Sequence, residues 1–272
     1  MSIGTRLSGL LGSIALVGAM TASGPAQAVV TTWDYNVSSI FSSATYNGPG
    51  GTPAPATTLS WGTSTGSGQS SLSIGNNPAS GQVDTYLGAF PPAVPPFLGF
   101  STSLTHTNNP VTGTSLTSAV LSNTVSLTPF VPSLPSLPNQ LVDFNIAFSE
   151  TPNSTPCAVT SSPTPCNDIF VLTSGLLNQS FVFDDGTGAS TYFVNIFPTT
   201  GGVLGVLETS ACTAAGVAAG CIGFTTPENQ ATRLAFGFTI STNPLSVPEP
   251  ASLGLVGLGL AALGFRRRKR NA

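Results

Sequence analysis

Across residues 29–246 apolar side chains recur at every second position, a pattern that lets a strand bury one face but gives a helix no continuous apolar stripe. Val142, Phe144, Ile146 and Phe148 alternate with Leu141, Asp143, Asn145 and Ala147. The same rhythm runs through Trp33, Tyr35 and Val37, through Leu121, Asn123, Val125 and Leu127, through Tyr192, Val194 and Ile196, and through Leu234, Phe236, Phe238 and Ile240. No stretch of this span carries a helical period. Gly, Pro, Asn and Ser punctuate the alternating runs and supply the backbone angles that turns require. The expectation is one all-β domain, a sandwich or a jelly-roll-like barrel. Its clearest hairpin is residues 181–197, with Asp184, Asp185, Gly186, Thr187 and Gly188 at the tip. Those carboxylates and hydroxyls could ligate calcium, but the spacing matches no EF-hand, and a plain turn is the simpler reading. Residues 47–58, 91–96 and 132–139 read as extended polyproline-like loops.

Charge narrows the range of functions. Charged residues make up 6% of the 272, against roughly 25% in an ordinary soluble domain. Arg233 is the one base between residues 29 and 247, against nine acids. Such a surface repels phosphate backbones, so nucleic acid is excluded as a partner. The four cysteines fall as Cys157 with Cys166 and Cys212 with Cys221, each pair nine residues apart. An even number in an exported chain favours disulfides; three connectivities are open, and local pairing is the simplest. A zinc site would need closer pairs or more histidines than the single His106, and no metal or other cofactor is expected.

The two ends differ from the body. Residues 1–28 place Arg6 before an apolar run and end in Ala26, Gln27 and Ala28, the form of a secretory signal helix with an A-x-A cleavage site. Residues 247–272 place Pro248, Glu249 and Pro250 before an uncharged run at 251–265, which is closed by Arg266, Arg267, Arg268, Lys269 and Arg270. The prolines keep the strip around Glu249 extended, the run has nearly the length of a transmembrane helix, and the bases hold its end in the cytoplasm. Export through the Sec translocon, followed by an inner-membrane-tethered intermediate, is the expected route.

The order Pro-Glu-Pro, apolar run, basic end resembles the PEP-CTERM sorting signal. That resemblance implies recognition by an exosortase in a Gram-negative bacterium that makes exopolysaccharide, with the product delivered to the cell surface or extracellular matrix. Within the body, Thr105, His106, Thr107 and Asn108 spell the motif of the THxN family of PEP-CTERM proteins, and the likeness extends to PCNDIFVL at 165–172 and CIGFTTPEN at 221–229. The family supplies no catalytic residue.

His106 falls on an inward strand face with Leu98, Phe100, Thr102 and Leu104. One reading makes it a catalytic base of a hydrolase, with Asp84 or Asp143 as its carboxylate. The other makes it a structural residue whose ring bonds buried backbone groups, with Asn108 closing an Asx-type turn. No G-x-S-x-G elbow is present. A non-enzymatic structural or adhesive protein of the exopolysaccharide layer is therefore expected, with a carbohydrate-binding module built on Trp33, Trp61, Tyr46 and Tyr86 as the alternative.

Overall fold

The computed structural model describes residues 29–245 except 89, 161, 163, 164, 175, 176, 185–187 and 202. The leader, Pro248, Glu249, Pro250, the apolar run and the five terminal bases lie outside the described residues, as does the tip of the 181–197 hairpin. In chain order the strands are β1 (Thr32–Tyr46), β2 (Thr58–Trp61), β3 (Thr63–Ser64), β4 (Ser70–Gly75), β5 (Ala79–Tyr86), β6 (Gly99–Asn108), β7 (Val111–Thr112) and β8 (Leu116–Val131). They continue as β9 (Gln140–Ser149), β10 (Asp168–Leu172), β11 (Gln179–Asp184), β12 (Ala189–Pro198), β13 (Gly205–Val206), β14 (Ile222–Thr226) and β15 (Gln230–Ser241), with one helix, α1 (Thr209–Ala214).

The alternating runs fold as expected, into an all-β, sandwich-like body. One layer has the strand order β13-β14-β10-β9-β8-β1-β5 and the other β11-β12-β15-β6-β4-β2. A two-residue parallel contact, Ile240↔Thr85 and Ser241↔Tyr86, stitches β15 to β5 and joins the layers along one seam. The inward positions form a single core that includes Trp33, Phe41, Trp61, Leu121, Phe144, Phe170, Tyr192, Leu234 and Phe238. Trp33 packs edge-on against Phe181, Phe183 and Tyr192 at 5.1–5.6 Å between centroids, so the 179–198 hairpin is fastened to β1 by aromatic contact. Both tryptophans are wholly buried, so neither offers a sugar-stacking platform. That removes the main support for the carbohydrate-binding reading.

Two departures from the alternation have local causes. Phe100 points outward although Leu98, Thr102, Leu104 and His106 are buried, because four residues of β6, from Phe100 to Ser103, oppose three of β15, from Ala235 to Gly237. The extra residue is a bulge that turns the side-chain sequence over by one position. In the other departure, β10 is buried on both faces: Phe170 and Leu172 join the main core, while Ile169 and Val171 face a second cluster with Val159 and Ala211 of α1. The helix escapes a periodicity reading because six residues span less than two turns.

The cysteines pair locally, Cys157 with Cys166 and Cys212 with Cys221. Short loops of this kind stabilise by about 2–3 kcal/mol each in the chain-entropy account. The first bridge delivers the chain directly into Asn167 and Asp168, and the second runs from Cys212 within α1 to Cys221, the residue before β14.

Candidate functional site

The polar groups of interest lie at the end of the sandwich where β6 finishes and β15 starts, with Asn108 paired to Gln230 and His106 to Thr232. Alternation past the β6 bulge sends both His106 and Asn108 inward, and each has no exposed surface. Thr105 faces the other side, its carbonyl accepting a hydrogen bond from Ser73 Oγ at 3.4 Å, and it pairs with Arg233 of β15. β10 brings Asp168 into the same space because it enters the layer with its first side chain inward. β14 contributes Thr226, which pairs with Asp168, and the turn after it contributes Glu228.

The three separated blocks that carry the THxN resemblance therefore meet in one cluster. Asn108 Nδ2 donates to the Thr226 carbonyl at 2.9 Å, tying the first block to the third. His106 Nε2 lies 3.7 Å from Asp168 Oδ2, placing the first block against the second. Two expectations need correction here. Asn108 closes no local turn; its amide reaches across to β14. The His106 ring bonds no backbone group, and both of its nitrogens lack a protein hydrogen-bond partner.

The imidazole is held by aromatic rings. Trp61 stacks on it at 5.9 Å with 10° between planes, and Phe148 meets it edge-on at 4.9 Å. Trp61 Nε1 in turn donates to Glu150 Oε2 at 2.6 Å. Sequence reasoning passed over Glu150, although the signal was present: it continues the inward series Phe144, Ile146, Phe148 by one more step of two. Thr151 follows and donates its backbone N–H to Asp168 Oδ1 at 2.9 Å.

Burial sets the protonation of this cluster. Desolvation holds His106 down to about 3, so the ring is neutral at any ordinary pH. Asp168 is pushed up to about 9, first by burial and then by the neighbouring Glu150 charge, against the Thr151 N–H that favours the carboxylate. Glu150 is raised to about 7, again chiefly by burial, with the Trp61 N–H pulling the other way. The Glu150 charge lies close enough to Asp168 to disfavour a second charge there. At neutral pH Asp168 thus carries its proton, and the 3.7 Å approach of His106 is a contact between neutral groups. Burial also raises Glu228.

The imidazole and the acid beside it are both uncharged at neutral pH, and Trp61 and Phe148 pack against the ring. The carboxylate beside His106 is Asp168, and neither Asp84 nor Asp143 reaches it. Asp84 accepts a hydrogen bond from Thr32 Oγ1 at 2.8 Å near the other end of the strands, and Asp143 stands exposed on β9. Among the described residues no three His, Cys, Asp or Glu side chains are grouped to hold a metal ion.

Comparison with known proteins bears on the tail. Residues 246–269 match the PEP-CTERM protein-sorting motif. This stretch takes in Pro248, Glu249, Pro250 and the bases from Arg266 to Lys269, with Arg270 one position beyond. The chain thus carries the signal of an exported protein that is sorted by an exosortase through a membrane-anchored intermediate. No curated protein matches the chain.

Proposed function

We propose that the β-body is the non-enzymatic cargo of this signal, a structural or adhesive protein of the exopolysaccharide layer in the THxN group of PEP-CTERM proteins. The observation that carries the reading is the closure of the His106 cluster. Two of the residues spelling the group's motif, His106 and Asn108, are buried and uncharged and pack against Asp168 and Thr226, as suits a node that fixes β6, β10 and β14 to one another. The Asn108 bond to Thr226 and the His106 contact with Asp168 tie three strands together at this one point. Their meeting in space also supports membership in the THxN group, since the sequence alone gives three unrelated strings. Export by the Sec translocon and retention beside exopolysaccharide complete the proposal.

The test separates the body from its address. A chain ending at residue 246 is expected to fold with both disulfides formed and to appear in the medium, while the full chain is retained at the envelope or matrix. Fractionation and intact mass read both. Retention without the tail would overturn the sorting role, and turnover lost in a folded His106→Gln chain would overturn the non-enzymatic reading.

A further inference from the structure

The opposite end of the sandwich has a different character. β15 leaves its layer at Ser241; Thr242 N then donates to the Tyr86 carbonyl at 3.2 Å and Asn243 Nδ2 to the Leu87 carbonyl at 3.0 Å. The chain is last described at Leu245, clasped by Asn178 through bonds of 2.9 and 2.6 Å. This exit adjoins the loop at residues 87–98, where Leu87, Phe90 and Val94 are 58%, 62% and 57% exposed. Thr85 N donates to the Thr31 carbonyl and Thr31 N to the Val131 carbonyl, both at 2.8 Å, which brings the exposed Phe130 and Val131 to the same end. Leu177, also exposed, precedes the Asn178 clasp. Half of the large exposed apolar side chains among the described residues thus gather where the tail departs, at the end remote from the His106 cluster.

From this placement we infer that the apolar rim of Leu87, Phe90, Val94, Phe130, Val131 and Leu177 rests on the lipid bilayer while the tail is uncut, seating the body on the membrane in one orientation. The inference rests on the tether reading of the tail. Five residues separate Leu245 from the uncharged run beginning at Ala251, a leash of about 20 Å when extended. A compact chain of this length is about 45 Å across, so the leash holds the exit end, and no other, against the surface. The loop at 87–98 contains no charged residue, and exposed Phe, Leu and Val suit the boundary between headgroups and acyl chains. The nearby charges, Asp84 and Asp184, are acidic, and Arg233 lies toward the other end beside Thr105. Seating is therefore apolar insertion that gains nothing from anionic lipid and, on a zwitterionic bilayer, is indifferent to salt.

The tail-bearing chain is reconstituted into phosphatidylcholine vesicles whose acyl chains are brominated near the headgroup, and tryptophan quenching is measured. Phe90→Trp places a reporter on the rim. Val206→Trp serves as the control, because Val206 is level with Ile222, Leu172, Ile146 and Ala119, near the cluster end of β8. Trp33 and Trp61 are buried and form a constant background. The expected result is about twofold or greater quenching of the Phe90→Trp reporter, as befits a side chain at the acyl boundary, with Val206→Trp unchanged and no effect of 0.5 M salt (roughly 4 Å screening). Failure of the chain to enter vesicles sinks the tether and this proposal with it. Entry without quenching at Phe90→Trp sinks the rim alone, assigning it to the tail, a second copy or the processing enzyme. Equal quenching at both positions rejects a fixed seat.

Discussion

His106 shows how a residue chosen for its chemistry can end fully buried between aromatic rings and an acid. Its position on an inward strand face was legible from the two-residue period, but its partners were not, because Trp61, Phe148 and Asp168 come from three other strands. Glu150 could have been read by extending the series Phe144, Ile146, Phe148 one step further; a carboxylate on a core face is an exception that asks for a partner. Asp168 gives the cluster a measurable signature. Its folded value near 9 lies above the 3.8 of an ordinary aspartate, so the native state holds a proton that the unfolded chain releases. Stability contributed by that proton is full below about 4 and declines as pH rises through 9. Glu150, raised to about 7, adds in the same direction. His106 acts oppositely and in a different window, since a value lowered to about 3 costs stability only as pH falls from 6.5 toward 3. Urea midpoints of the oxidised protein should therefore fall between pH 6.5 and 9. Asp168→Asn, which keeps the neutral shape, should flatten that slope while changing the neutral-pH midpoint by less than about 1 kcal/mol equivalent. A variant slope matching the parent's would refute the assignment.

At the scale of elements, the strands with uninterrupted alternation, β1, β8, β9, β12 and β15, were legible directly. Those shaped by their neighbours were not. β6 carries a bulge created by its pairing with β15, and β10 looks like a buried run whose second face waits for α1, a helix too short to announce itself. Strand order, too, depends on which strands lie side by side, and the parallel stitch between β15 and β5 leaves no local trace in either. Gly223 marks one position where the element tolerates a single residue type. A Cβ there would lie 2.0 Å from the Phe170 carbonyl oxygen across the β10–β14 pair. Backbone cannot yield as a flexible side chain can, so Gly223→Ala is expected to cost about 2–3 kcal/mol in denaturant unfolding. Because β14 presents Thr226 to Asn108, the same substitution should loosen the cluster. An alanine variant as stable as the parent would mean that β10 and β14 are less closely registered than described.

The whole molecule has two unlike ends, a closed cluster of polar and aromatic groups at one and an apolar rim with the departing tail at the other. The address and the body were separable in the sequence because their compositions differ sharply, bases and a greasy run against a nearly uncharged alternation. That scarcity of charge has an outcome for how the protein meets proteases. Arg233 is the only site between residues 29 and 247 at which trypsin could cut, and it lies within β15, paired to Thr105 of β6. A strand must leave its sheet before it can enter a protease cleft. Trypsin should shave the basic end of the tail within minutes and leave the oxidised body whole for hours, which an electrophoretic time course would show. Early cleavage at Arg233 would reveal an unstable seam between β15 and β6. Lysine is absent from the body, so amine-directed crosslinkers find no side chain there and can join it to its neighbours only through a chain terminus.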